Sequence, residues 1–145
     1  MNDADIKIRA RRVIDNAPNA VLATVDTSGF PQMRTMWTAY VDEDFNTFFV
    51  TGRGMPKCLQ IDANPKVCVF WTQAEGGQLG PNYAMLKGNA VVTDDQELRN
   101  RFWNDELLQY FPGGKNDPNY VIIRIKPTEL LLMDSMKYPL DRVEF

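Results

Sequence analysis

The sequence predicts a mainly β fold, an antiparallel barrel of six to seven strands, closed or split, with helices at its flanks. Three observations carry that expectation. Short runs rich in branched and aromatic residues recur along the chain, each bounded by turn formers such as T-S-G-F-P or D-E-D-F-N. Helical periodicity is confined to the first residues, a short stretch after Pro56 and another after Asp94. An antiparallel run of about seven strands also exposes its edges unless it closes.

The composition sets the outer limits. The 145 residues suit one domain, 1–145, with a core but little to spare. A hydrophobic fraction of 44% and a charged fraction of 24% are those of a soluble globular protein. A net charge of −3 argues against a nucleic-acid partner. No apolar run approaches the ~20 residues of a membrane span, and M-N-D-A-D-I-K-I-R-A-R-R lacks the apolar stretch of a secretory signal. A cytoplasmic protein with reduced thiols at Cys58 and Cys68 is expected, and no metal site.

Residues 3–16 are predicted helical. Asp3 or Asp5 can cap, Ile6, Ala10, Val13, Ile14 and Ala17 form an apolar stripe, and Pro18 ends the run. Arg9, Arg11 and Arg12 flank the stripe as a solvated face. Strands follow at 20–26 and 32–41. In the second, Arg34, Met36, Thr38 and Tyr40 share one face, and Met33, Thr35, Trp37 and Ala39 the other. An arginine amid apolar neighbours in mid-strand requires an anionic partner, either a carboxylate or a bound anion.

Residues 42–46 turn the chain into a third strand, 47–51, and T-F-F-V-T-G-R-G-M-P-K (47–57) then breaks at Gly52 and Gly54. Pro56 starts a helix over 56–63, where a missing N–H costs nothing. A strand, a glycine-bearing loop and a helix N-terminus beside Arg53 and Lys57 suit a phosphate; a purely structural loop is the alternative.

Residues 66–73 form the fourth strand, 75–81 a glycine-rich loop, and 82–93 the fifth strand, where Gly88 marks a bulge or a close approach. A helix beginning at Asp94–Glu97 carries Leu98, Arg101, Phe102, Leu107 and Leu108, with a break near Asn104. A long loop spans 110–119. Two closing strands, 120–126 and 129–135, are separated by Pro127.

The chain has no histidine. That removes Ser-His-Asp and Cys-His nucleophile systems and histidine-bearing zinc sites. Chemistry, if any, falls to a cofactor. No residue stands out as a general acid or base; Tyr40, Tyr83 and Tyr110 are candidates in principle, with structural roles as the alternative.

Four segments in order, 21–37, 49–67, 86–90 and 103–119, resemble the FMN-binding split-barrel superfamily of pyridoxamine 5'-phosphate oxidase, in its general stress protein 26-like branch. They read V-L-A-T-V-D-x-x-G-x-P-Q-M-R-T-M-W, F-V-T-G-R-G-M-P-K-C-L-Q-I-D-A-N-P-K-V, L-K-G-N-A and W-N-D-E-L-L-Q-Y-F-P-G-G-K-N-D-P-N. The resemblance implies a split barrel with FMN at the interface of a homodimer. It implies that Arg34 and Lys57 grip the phosphate, that Thr35, Met36 and Trp37 run beside the isoalloxazine, and that Val50 and Thr51 lie at the adjoining strand end. Trp103 and Phe111 would cover the cofactor from the second subunit, with core packing as the alternative.

The departures bear on activity. Where the vitamin B6 oxidases carry a basic pair, this chain has Pro56-Lys57, so Arg53 is a candidate to share the phosphate. Ala39 stands at a substrate-contacting lysine, Tyr83 at a flavin-contacting glutamine, and the arginine–histidine substrate motif is missing. Oxidation of pyridoxamine phosphate is therefore not expected. An FMN-dependent oxidoreductase passing electrons between NAD(P)H or another small donor and a small acceptor is. The alternatives are a flavin-storing stress protein and a deazaflavin (F420) reductase, the latter disfavoured by net acidity.

Overall fold

A computed structural model describes residues 1–37, 40–77, 80–134 and 138–145. In it, helix α1 (Asp3–Asn16) is capped by the side chain of Asn2, which accepts from the Asp5 N–H, rather than by Asp3 or Asp5. The two acidic residues occupy the first turn, where they complement the helix dipole. Ile6, Ala10, Val13 and Ile14 are buried as expected, and α1 lies across the sheet.

Eight strands are present among the described residues: β1 (Ala20–Val25), β2 (Pro31–Met36), β3 (Tyr40–Val41), β4 (Thr47–Gly52), β5 (Lys66–Gly77), β6 (Gly80–Thr93), β7 (Tyr120–Met133) and β8 (Asp141–Glu144). Their order is β2-β1-β5-β6-β7-β4-β3, all antiparallel, with β8 on β7. The sheet is mainly β and not closed, one strand richer than six to seven. β8 is the addition. Its alternation is only four residues long, and Val143 alone among them is buried.

The single strand expected over 32–41 is two. β2 pairs with β1 at one end of the strand order, whereas β3 pairs with β4 at the other. The ladder of β2 ends at Met36 and that of β3 begins at Tyr40; Thr38 and Ala39 lie outside the described residues. Within β2 the face assignment is as expected: Met36 is buried and Arg34 half-buried, while Met33 and Thr35 point out to solvent.

The hairpin between β5 and β6 reaches further than expected, since Gly76 pairs with Pro81 and Gly77 with Gly80 where a loop was anticipated. Gln78 and Leu79 lie outside the described residues. The two expected closing strands form one, β7, which runs through Pro127. The register slips at Lys87/Gly88 opposite this proline, so the bulge accommodates the missing N–H. The same spot explains Gly88: a Cβ there would lie 2.5 Å from the Lys126 carbonyl oxygen. Ser135, at the expected end of that strand, lies outside the described residues.

Helix α2 (Pro56–Ala63) starts at Pro56 as the sequence predicts. Helix α3 (Gln96–Phe102) is capped by Asp95 and breaks into a 3-10 turn at Asp105–Gln109, close to the expected break at Asn104. Two apolar clusters result. The larger fills the barrel under α1; the smaller gathers Phe48, Leu107, Phe111, Tyr120 and Ile122 where the α3 segment covers β4 and β7.

Candidate functional site

Arg34 is the most informative side chain in the molecule. Its Nη1 donates to the Leu22 carbonyl at 3.1 Å and to Thr24 Oγ1 at 2.8 Å, and its Nη2 donates to Gln60 Oε1 at 3.2 Å. All three acceptors are neutral. Among the described residues no carboxylate pairs with Arg34, so the ordinary structural partner of a half-buried arginine is missing. A guanidinium has five N–H groups, and the three contacts leave Nε and one hydrogen of Nη2 for a ligand. Burial lowers the tendency of this group to hold its charge, which a bound anion would reverse.

Gln60 links β1, β2 and α2. Its Oε1 also accepts the Thr24 hydroxyl at 2.6 Å, so strand hydroxyl, strand guanidinium and helix amide form one neutral cradle. The sequence reading passed over both Thr24 and Gln60. Helical spacing was the available signal, because Gln60 stands three residues beyond Lys57 on the same helix.

Lys57 lies in the first turn of α2, and its ammonium forms no hydrogen bond or ion pair among the described residues. Burial pushes its ammonium below the ordinary lysine value, Cys58 opposes this, and the nearby charge of Arg34 pushes it further down. Gln60, which holds Arg34, stands three residues beyond Lys57 on α2, so the two cations lie by the same face of that helix. Residues 34 and 57 thus converge on one side of the barrel. The Met55 side chain provides no cap to α2, so the first-turn N–H groups have no side-chain acceptor either. Two unneutralised cations beside an uncapped helix start fit a phosphate in charge and in donor geometry.

Arg53 has a different employment. Its Nη2 pairs with Asp94 at 3.1 Å and its Nε donates to the Pro118 carbonyl at 3.1 Å, which ties the β4–α2 loop to the end of β6 and the segment leading into β7. Cys58 is buried next to Lys57 in sequence with its thiol on the Gly52 carbonyl, and burial raises its pKa.

A cleft of about 750 Å3 opens beside this basic corner. Of the residues singled out from the sequence, Met36, Trp37, Val50, Thr51 and Phe111 line it. Trp37 is 68% exposed at the seam, and Thr51 is buried at the strand end. Arg34 and Lys57 do not line the cleft, and Thr35 faces away from Arg34 on β2. Trp103 packs edge-on against Tyr120 of the same chain at 5.3 Å, and Phe111 lies against that ring at the same distance. Tyr83 is half-buried against Phe70, with ring centroids 4.9 Å apart. Tyr40 and Tyr110 both border the cleft.

Residues 6–139 match the model of the family described as pyridoxamine 5'-phosphate oxidase like. General stress protein 26 of Bacillus subtilis is 32% identical over 136 residues, covering 93% of either chain. Among solved structures, general stress protein 26 from Bacillus anthracis superimposes with a TM-score of 0.76 at 27% identity, covering 97% of this chain and 98% of that one. A related Clostridium acetobutylicum protein gives 0.77 at 16% identity, over 99% and 96%, a likeness of fold alone.

Proposed function

Because this chain belongs to the pyridoxamine 5'-phosphate oxidase-like family, in its general stress protein 26 branch, we propose that it is an FMN-binding flavoprotein oxidoreductase, working as a homodimer. The observation that carries the reading is the convergence of Arg34 and Lys57 without a carboxylate between them among the described residues. A dianionic phosphate supplies what both groups lack. The adjoining cleft, bordered by Met36, Trp37, Val50 and Thr51, is of a size and polarity to receive a flat ring system.

Bound FMN supplies two-electron redox chemistry at its ring. The residues of the chain then have separate tasks. Arg34 and Lys57 neutralise the phosphate, and Gln60 and Thr24 hold Arg34 in the orientation that presents its remaining N–H groups. Backbone groups of residues 35–37 and 50–51 read the polar edge of the ring. Trp37, exposed at the seam, offers an aromatic surface for a partner subunit to cover.

The absorption spectrum of the purified protein tests this directly. Flavin bands that bleach anaerobically on addition of NADH or NADPH and return in air support turnover. Bands that persist with every donor favour the storage role, in which flavin is held without reaction. A colourless protein that takes up no FMN refutes the proposal. The double change Arg34→Ala, Lys57→Ala should release FMN, more completely at high salt, since charge is what has been removed; unaltered retention would remove both residues from the site. Sedimentation at micromolar concentration should report a dimer.

A further inference from the structure

Trp37 borders a second cavity besides the flavin cleft. It measures about 540 Å3, within the ~300–1,000 Å3 of small-molecule sites, and lies against the C-terminal end of α1 and the start of β1. Neither Arg34 nor Lys57 lines it, so it is separate from the phosphate corner.

Three features of its wall attract positive charge. The Asp15 carboxylate borders it and forms no hydrogen bond or ion pair among the described residues. Ile14 and Ala17 bring the end of α1 itself to the cavity, and no basic residue stands in the last turn of that helix. The negative pole of the helix dipole is therefore left without a cation. Trp37, largely exposed, adds an indole ring, the best of the aromatic partners for a cation. Arg11 is the one positive charge among the residues lining the cavity. It stands four residues before Asp15, the spacing at which the two would ordinarily pair. Instead its Nη1 and Nη2 donate to the Val41 and Asp42 carbonyls, and its guanidinium carbon lies 4.4 Å from the centroid of the Phe45 ring. Trp71 adds a directed contact. It is only 3% exposed and borders the cavity, yet its indole N–H forms no hydrogen bond among the described residues. Nor is that N–H sealed in, since Arg99 Nε alone among their side-chain nitrogens and oxygens is both buried and unpartnered. The donor opens on the cavity, where it requires an oxygen.

We propose that this cavity binds a small organic ammonium ion carrying a hydroxyl or ether oxygen. The ammonium group sits among Asp15, the end of α1 and Trp37, and the oxygen accepts from the Trp71 N–H. The site stands apart from the flavin reading, because its ligand needs neither Arg34 nor Lys57.

Choline and 3,3-dimethylbutan-1-ol test the charge, since they are alike in shape and differ in a quaternary nitrogen exchanged for carbon. They are titrated calorimetrically into the protein as purified, in a buffer free of other organic cations. Choline should bind at least about tenfold more tightly than the alcohol. Asp15→Asn, a change at an exposed position, should weaken choline about three- to tenfold and leave the alcohol unaffected. Ethyltrimethylammonium, which lacks the hydroxyl, tests the indole N–H. It should bind about fivefold more weakly than choline to the parent protein, and as well as choline to Trp71→Phe. Equal or tighter binding of the alcohol overturns the proposal, as does a failure of choline to bind at millimolar concentration or its indifference to Asp15→Asn. Should Trp71→Phe not fold, the parent protein still decides the contact: equal affinity for choline and ethyltrimethylammonium would remove Trp71 from the site and overturn the requirement for an oxygen.

Discussion

The guanidinium of Arg34 stands 3.2 Å from the amide oxygen of Gln60, so a strand at one end of the sheet is joined to a helix by a contact carrying no negative charge. A protein that used Arg34 only as a brace would gain more from a glutamate here, because a carboxylate adds ion-pair attraction and can accept from the guanidinium bidentately. The neutral partner keeps the arginine oriented while leaving its charge available. Gln60→Glu should therefore separate the two roles. The change should hold or raise the melting temperature of the flavin-free protein, and weaken FMN roughly 10- to 100-fold as the carboxylate competes with the phosphate. Fluorescence titration with FMN, beside a thermal melt, checks both. An undiminished FMN affinity would mean that Arg34 does not face the phosphate.

Gly88 supports a prediction about the fold itself. Its missing Cβ would lie 2.5 Å from the Lys126 carbonyl oxygen and 2.7 Å from Ile125 Cγ2. The first of these is backbone in the middle of β7 and cannot turn aside. Gly88→Ala should cost about 1–3 kcal/mol and lower the melting temperature by several degrees. Gly54→Ala is the control, since nothing lies within 4 Å of its Cβ position and its stability should barely change. Urea denaturation of the two variants reads the difference.

Much of this was legible in the residues, and the remainder has identifiable causes. The α1 stripe, the Pro56 helix start and the Gly88 irregularity follow from local chemistry, and each falls where the sequence places it. The strand over 32–41 does not, because continuity of β-prone residues says nothing about which neighbour each half pairs with. Its halves sit at opposite ends of the strand order, and only that tertiary arrangement puts the break after Met36. β7 misled in the opposite sense: Pro127 reads as a stop, but the bulge at Gly88 lets the ladder pass. At the site, Arg34 and Lys57 could be singled out by their residue types. Thr24 and Gln60 could not, being neutral residues whose importance lies in what they touch.

Tyr120 offers a test of the smaller cluster, with the sign of its pH dependence fixed in advance. The ring has no exposed surface, and its hydroxyl donates to the Arg99 carbonyl at 2.7 Å. Burial pushes its pKa up to about 12. The folded state thus favours the neutral phenol more than the unfolded state does. That contribution is complete below the ordinary tyrosine value of about 10 and is lost as pH rises through about 12. Tyr120→Phe should cost about 1 kcal/mol at pH 7 for the hydrogen bond. Its deficit should shrink between about pH 10 and 12, because the variant lacks the titrating group. Denaturation at pH 7 and again near pH 11 would show a constant deficit if the hydroxyl were not held in this way.

Lys57 titrates with the opposite sign, and that makes it a reporter of the phosphate. Burial lowers its pKa, Cys58 opposes part of this, and the charge of Arg34, the smallest of the three effects, lowers it further. In the flavin-free protein the unfolded chain therefore binds the proton more readily. The group's contribution to stability rises with pH across the window from its lowered value to the ordinary one near 10.4. A bound phosphate inverts this, since it interacts with the ammonium and not with the amine. FMN affinity should fall as pH climbs through the lowered Lys57 value, at a lower pH than an ordinary lysine would permit. Lys57→Arg keeps its charge throughout, so its FMN affinity should lack this alkaline decline, and any ionisation of the ligand itself cancels between the two proteins. Dissociation constants at a series of pH values from about 7 to 10.5 read the difference. Parallel curves for the two proteins would show that the ammonium of Lys57 takes no part in holding the phosphate, leaving Arg34 to do so alone.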